Sequence, residues 1–588
     1  MNAVYVIVLW LAVLAACSSR DGGEQDVALA HRPAAATEVA ARATSSVAND
    51  PAAPGAARFE ARTMSPAARE AFARGLSALH AFWYEEAGRQ FGSAIAADRT
   101  FAMAHWGLAM SKSKLLWGED DVAGARAALR GLPPSSALPA RERLWVRAAV
   151  ALFDDGDAQK RREAFAAAME QVYATYPDDE SATFLALALL SVFRPEDPNG
   201  MPVRKRAGDL AMAVFRRNPT HPGAAHYLIH AYDTPELARL ALPAARAYAA
   251  SAPEAFHARH MPAHIFARLG MWRDAVASCR SAWDASLAWV EREHLPAQRR
   301  DWHSLDWIIE MSFERGRREE ADAAMKLFAD AVRGGLDRAT RSNYARQVAS
   351  YMARTGEWNR VDELLAPLEA AATDEAARAV AGASVTASCG GHAPAGGGPP
   401  FELLERRAAL SARLRSAAMR RDPVGTRRLL AAQQALDAEL RPFFLAAMGA
   451  EQLDAEEKGN ALSDAAMLAR ARGDDRALLA ALGPIAERAK HDFAAEGTAG
   501  GILPQEEIGD VLLRLGRPGE ALAAYELVLA RHAGRARALL GAARAAAAAG
   551  RVEASRGWYE KLLEVWPDAD EKTPGLAEAR RAARPPHP

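Results

Sequence analysis

Residues 222–255 read PGAAHYLIHAYDTPELARLALPAARAYAASAPEA, and residues 256–289 read FHARHMPAHIFARLGMWRDAVASCRSAWDASLAW. Laid one above the other, these stretches of 34 residues align His226 with His260, His230 with His264 and Ala241 with Ala275. Ala207 falls one interval earlier, Pro219 and Pro253 keep the interval, and so do Gly516/Gly550 and Tyr525/Tyr559. Self-similarity at this period predicts a stack of helix–turn–helix units, each burying its apolar face only against its neighbours. A glycine followed five positions later by a small or apolar residue recurs as Gly270/Ala275, Gly316/Ala321, Gly356/Val361 and Gly516/Ala521. Such a glycine suits the left-handed turn closing the first helix, and the small residue lets the second helix approach. Gly75, Ala87, Phe91 and Ala94 fit the same frame, with Arg99 where a proline would close the unit.

These motifs resemble the tetratricopeptide-repeat family over roughly 64–370 and 500–567. The resemblance implies an all-α, right-handed α-solenoid. Ala102-Met103-Ala104-His105-Trp106-Gly107 and His260-Met261-Pro262-Ala263-His264-Ile265 further resemble large exported bacterial repeat lipoproteins without an assigned activity.

The chain ends read differently from the repeats. Ala3–Ala16 is an apolar run, too short for an ordinary membrane span, and it leads into Leu14-Ala15-Ala16-Cys17-Ser18. This resembles a bacterial lipobox. The resemblance implies lipidation at Cys17, a signal peptide over 1–17 and an envelope location, with Ser18 favouring the outer membrane facing the periplasm. Met1-Asn2 lacks the usual basic residue, and an uncleaved anchor is the alternative. Residues 18–63, rich in Ala, Pro, Ser and Gly, read as a flexible tether. The body divides into a solenoid over 64–375, a Gly/Pro-rich linker over 376–400 and a helical arm over 401–575, with a disordered tail over 576–588. Within the arm, 421–500 keeps the period poorly.

Of 588 residues, 50% are hydrophobic and 25% charged, and the net charge is −1. No basic field points to nucleic acid. Three cysteines, Cys17, Cys279 and Cys389, show no zinc-knuckle spacing, and a Cys279–Cys389 bridge is the one internal pairing open to them.

Eight of the 15 histidines fall between His221 and His303. In the repeat frame His226 and His260 hold position 5, and His230 and His264 hold position 9. In tetratricopeptide proteins these positions face the concave groove. The resemblance therefore implies a groove lined by His226, His230, Asp233, His257, His260, His264, Arg268, His303, Asp306 and Glu310. Three readings stay open. Imidazoles and carboxylates suit zinc, copper or nickel, with His226, His230, His260 and His264 as ligands. The groove could instead take a protein or peptide, or the histidines could be satisfied core residues. Pro262 belongs in a helix's first turn, which sets His260 before that helix and predicts imperfect stacking on His226. No metalloprotease, GxSxG, phosphate-loop or dinucleotide motif is present, so no enzyme is indicated and no cofactor beyond that metal. Asp178, Asp179 and Glu180 read as a helix start, Trp117–Asp121 as a solvated acidic turn, and Phe82, Trp83 and Tyr84 as packing between repeats. The function favoured at this level is a membrane-tethered scaffold binding a protein or peptide partner in its groove. A metal-binding protein is the alternative.

Overall fold

The computed structural model describes residues 57, 59–117, 119–193, 200–380, 400–489 and 501–584. Cys17, Cys389 and most of the predicted tether and linker lie outside them. The described chain is an α-solenoid, and its strands amount to one hairpin pairing Ser113–Lys114 with Glu119–Asp120.

The 34-residue register becomes a series of antiparallel helix pairs. Pro222–Tyr232 pairs with Ala238–Ser251, and the next unit runs from Phe256–His260 through Pro262–Arg268 to Trp272–Arg292. Ala207, Ala241 and Ala275 are fully buried at these crossings, where a larger side chain would drive the helices apart. Gly270, Gly316, Gly356 and Gly516 adopt φ of 71°, 67°, 74° and 69°, the left-handed geometry that the spacing predicts. Gly75 serves otherwise. It is helical, and a Cβ there would fall 2.8 Å from the Phe91 ring.

Several boundaries differ from the sequence reading. The tether does not stay free to residue 63. Phe59 packs on Phe72, Trp106 and Trp145, and the Arg62 N–H donates to Glu142 at 2.8 Å. An aromatic ring in an otherwise small-residue segment buries a large apolar area. Helix Val361–Val380 continues past residue 376. The predicted tail begins as helix Leu576–Ala582, with Leu576 and Ala579 buried against the last repeat. The segment with poor periodicity contains Pro423–Arg472, two helices joined at Gly449, where φ is 80° and ψ is 168°. Asp120 is not solvated, because Arg161 and Arg162 hold it at 3.3 and 3.2 Å.

The superhelix closes on itself twice. Helix Pro66–His80 meets Pro222–Tyr232 through His80 and Tyr227, with Nδ1 to hydroxyl at 2.9 Å. Gly223 permits this approach, since a Cβ there would sit 2.3 Å from His80 Nδ1. At the far end, Trp272 Nε1 donates to the Gly534 carbonyl at 2.8 Å, and Trp566 Nε1 donates to the Glu314 carbonyl at 2.9 Å. The two predicted arms are therefore packed together. The described residues include no helix long and apolar enough to cross a membrane.

Candidate metal centre

The two His-x3-His pairs stand on successive inner helices, and each gains a third imidazole from the next inner helix. His226 and His230 are joined by His257, and His260 and His264 are joined by His303. In each set the ligand atoms lie within 4.8 Å of one another. His226 Nε2 is 3.1 Å from His230 Nε2 and 3.1 Å from His257 Nε2. His260 Nε2 is 3.1 Å from His264 Nε2. Nitrogens ~2.0–2.1 Å from a tetrahedral ion would be about 3.3 Å apart, so these separations fit a shared ion.

The opposite ring nitrogens decide the chemistry. His226 Nδ1 lies 2.6 Å from the His80 carbonyl, which can only accept, so it carries the proton. Its Nε2 is then a bare lone pair facing two other ring nitrogens. His264 Nδ1 donates to Asp233 at 2.9 Å. Burial would raise the Asp233 carboxyl, but Arg268 at 2.7 Å and His264 hold it well below the usual range. His260 Nδ1 is 2.9 Å from Ser304, whose hydroxyl reaches Asp301. A ring nitrogen fixed by a carbonyl or carboxylate, with the other turned inward, is the arrangement that orients metal-binding histidines.

Burial favours the neutral form of five of the rings. His226, His230, His257 and His260 are pushed well below the ordinary histidine pKa, by desolvation first and neighbouring histidines second. His303 falls to about 3 for the same reasons. Neutral imidazole is the ligand form.

A third cluster, His80, Glu180 and His221, provides a contrast. Glu180 accepts from His80 at 2.8 Å and from His221 at 3.1 Å. His221 Nδ1 accepts the Ala224 N–H at 3.2 Å, and His80 Nδ1 meets Tyr227. Each ring nitrogen here has a complementary partner, so this cluster is complete without an ion. Burial works against the Glu180 charge, yet the two histidines hold its pKa well below the usual range. The predicted helix start is present as well, with Asp178 capping Asp179–Val192.

The structure corrects the groove expectation. His226, His230, Asp233, His260, His264 and Arg268 are buried, and only His257, His303 and Asp306 are half-exposed. An inner helix face lines an open groove only while the superhelix stays open, and here it is closed. Glu310 is spent elsewhere, accepting from Gln347 at 3.1 Å and pairing with Arg354 at 3.3 Å. Burial raises the Asp306 carboxyl well above its usual range, with Arg346 opposing. Pro262 does not spoil the register. It opens helix Pro262–Arg268, but Met261 keeps helical angles, so His260 and His264 remain one turn apart.

Sequence reasoning missed the aromatic walls. Phe82 lies 4.3 Å from the His226 ring and 5.7 Å from both His230 and His257. Trp307 lies 4.8 and 4.6 Å from His260 and His264. Phe82 has φ of 55°, a left-handed conformation that disfavours a phenylalanine by ~1–2 kcal/mol. That outlier was a signal only the backbone could give.

No protein-family model matches this chain, and no curated protein matches it. Among solved structures it is similar to the TPR domain of P58(IPK), at 14% identity over 69% of this chain and 98% of that one, with a TM-score of 0.20. It is also similar to a monomeric mutant of IFIT1 with Gppp-AAAA, at 11% identity over 83% and 95%, with a TM-score of 0.28. A third likeness is to the APC/C hetero-tetramer Cut9–Hcn1, at 10% identity over 76% and 97%, with a TM-score of 0.22.

Proposed function

We propose that this chain is a metal-binding helical solenoid, with a transition-metal ion held by histidines on its inner helices. The observation that carries the reading is the bare Nε2 of His226. Its proton is fixed on the other nitrogen by the His80 carbonyl, and two more ring nitrogens stand 3.1 Å away. A cation shared by the three ring nitrogens would take all three lone pairs at once. Neutral imidazole without thiolate suits zinc, copper or nickel. The test is elemental analysis of the full chain, purified without a metal-binding tag and dialysed. At least one equivalent of these metals is expected, falling in His226→Ala with helicity retained. A folded protein that neither retains nor takes up metal refutes the reading.

A second reading, partner binding by the repeat scaffold, finds its support away from the histidines. A cavity of about 280 Å³ between the solenoid and the C-terminal arm is lined by Trp358, Met419, Met467 and Ile485 together with Arg470 and Arg537. An apolar floor with charged groups suits a peptide side chain. In this proposal Cys17 carries a lipid that anchors the chain to the envelope, a reading that rests on residues 14–18 alone.

A further inference from the structure

The six histidines form one continuous array. His230 and His264, from different sets, have ring centroids 6.3 Å apart, the same separation as His230 and His257 within one set. His257 and His260 are 6.5 Å apart across the same boundary. The two three-histidine sets thus share a wall made of their own ligands, and an ion in one set is the immediate neighbour of an ion in the other. Resting on the metal-binding reading above, we propose that the array holds two ions as a pair, completed by a small bridging anion supplied from solution.

Charge explains the need for that anion. Six imidazole ligands contribute no negative charge, and two divalent ions bring four positive charges into a buried site. Two carboxylates stand behind the ligands, Asp233 behind His264 and Asp301 behind Ser304 and His260, and burial raises the pKa of Asp306, three residues after His303, against a charge there. Asp233 is already matched by Arg268. Excess charge held out of water is strongly unfavourable unless something pairs with it. Three protein ligands also leave an open coordination position on each ion, as in catalytic rather than structural sites. An anion shared between the two positions meets both demands. Its class is set by access. Phe82 closes one wall and Trp307 another, and only His257 and His303 of the six reach the surface in part. Hydroxide or a triatomic anion fits this access, and a bulky organic anion does not.

The test uses Cu(II) as the metal probe and azide as the anion probe on the full, chelator-stripped chain. Two equivalents of Cu(II) are expected. The pair should show an electron paramagnetic resonance intensity below the copper content, or a half-field transition. Azide should bind at one per two coppers. His264→Ala should take up one equivalent, give full intensity and lose the half-field line. His303→Ala, at the more exposed edge, does the same if the more buried variant fails to fold. Two equivalents with full, uncoupled intensity would overturn the pair, as would a single equivalent in the unaltered chain or one azide per copper. Each of those results leaves the metal-binding reading standing. Retention of no copper removes both.

Discussion

Phe82 and Asp233 show what single residues contribute around the histidines. Phe82 tolerates an unfavourable backbone to cover the first set. Replacing it by glycine and by alanine separates the two effects. Both should release bound metal faster than the parent chain in a chelator-competition assay. Glycine should be the more stable of the two by about 1 kcal/mol in thermal melts, because only glycine accepts this φ freely. Asp233→Asn removes the anion that orients His264 and pairs with Arg268. Metal affinity should fall ~10–100-fold, measured by competition with a chromophoric chelator. An unchanged affinity would mean that His264 is not a ligand. The His-x3-His pairs were legible because they recur at the repeat interval. His257 and His303 were legible as groove residues but not as ligands, because neither sits at the repeat interval. His257 stands three positions before His260 in its unit, and the long helix Trp272–Arg292 with its following loop puts His303 43 positions after His260.

At the scale of elements, the register made the helix pairs readable, because small residues and turn glycines obey local geometry. Gly270 adds something the register could not show. Its φ is 71°, and a Cβ there would come 2.5 Å from the Ala533 carbonyl. The turn is therefore also the seat of the C-terminal arm. Gly270→Ala should destabilise the chain by more than ~1 kcal/mol and speed proteolysis between the last repeats. A variant as stable and as protease-resistant as the parent would refute that docking. The Gly449 break stayed hidden because alanine-rich helical sequence runs on either side of it.

For the whole molecule, the sequence reading separated two arms that the structure joins. Beside the Trp272 and Trp566 indoles, the joining groups include charges that in sequence look like solvated surface. Glu314 accepts the Ala536 N–H at 2.8 Å and pairs with Arg354, and Arg535 lies 3.5 Å away. The pH response also belongs to this scale. His226, His230, His257, His260 and His303 have lowered folded pKa values, so below pH about 6.5 the unfolded chain binds protons the folded chain refuses. Stability of the metal-free protein should fall from there downward. Glu180 and Asp233, also lowered, should add a further loss below about pH 4, with raised Asp301 and Asp306 opposing. Melting temperatures between pH 7.5 and 4 check the order, and a flat profile from 7.5 to 5.5 would contradict it. Cys17→Ala should move the protein from the detergent phase to the aqueous phase in a partition assay, and a protein that stays in the detergent phase would refute lipidation.

The closure of Pro66–His80 onto Pro222–Tyr232 has a temporal consequence. A chain that emerges from its amino end lays down Phe82 and the His80 carbonyl long before His226 arrives, and the second histidine set comes later still. Repeat arrays are thought of as growing one unit at a time. This one cannot bring His226 to the His80 carbonyl until Pro222–Tyr232 has returned to Pro66–His80. On the metal-binding reading, ions met during synthesis would find scattered, competing imidazoles, so loading would follow folding, from the side where His257 and His303 are partly exposed.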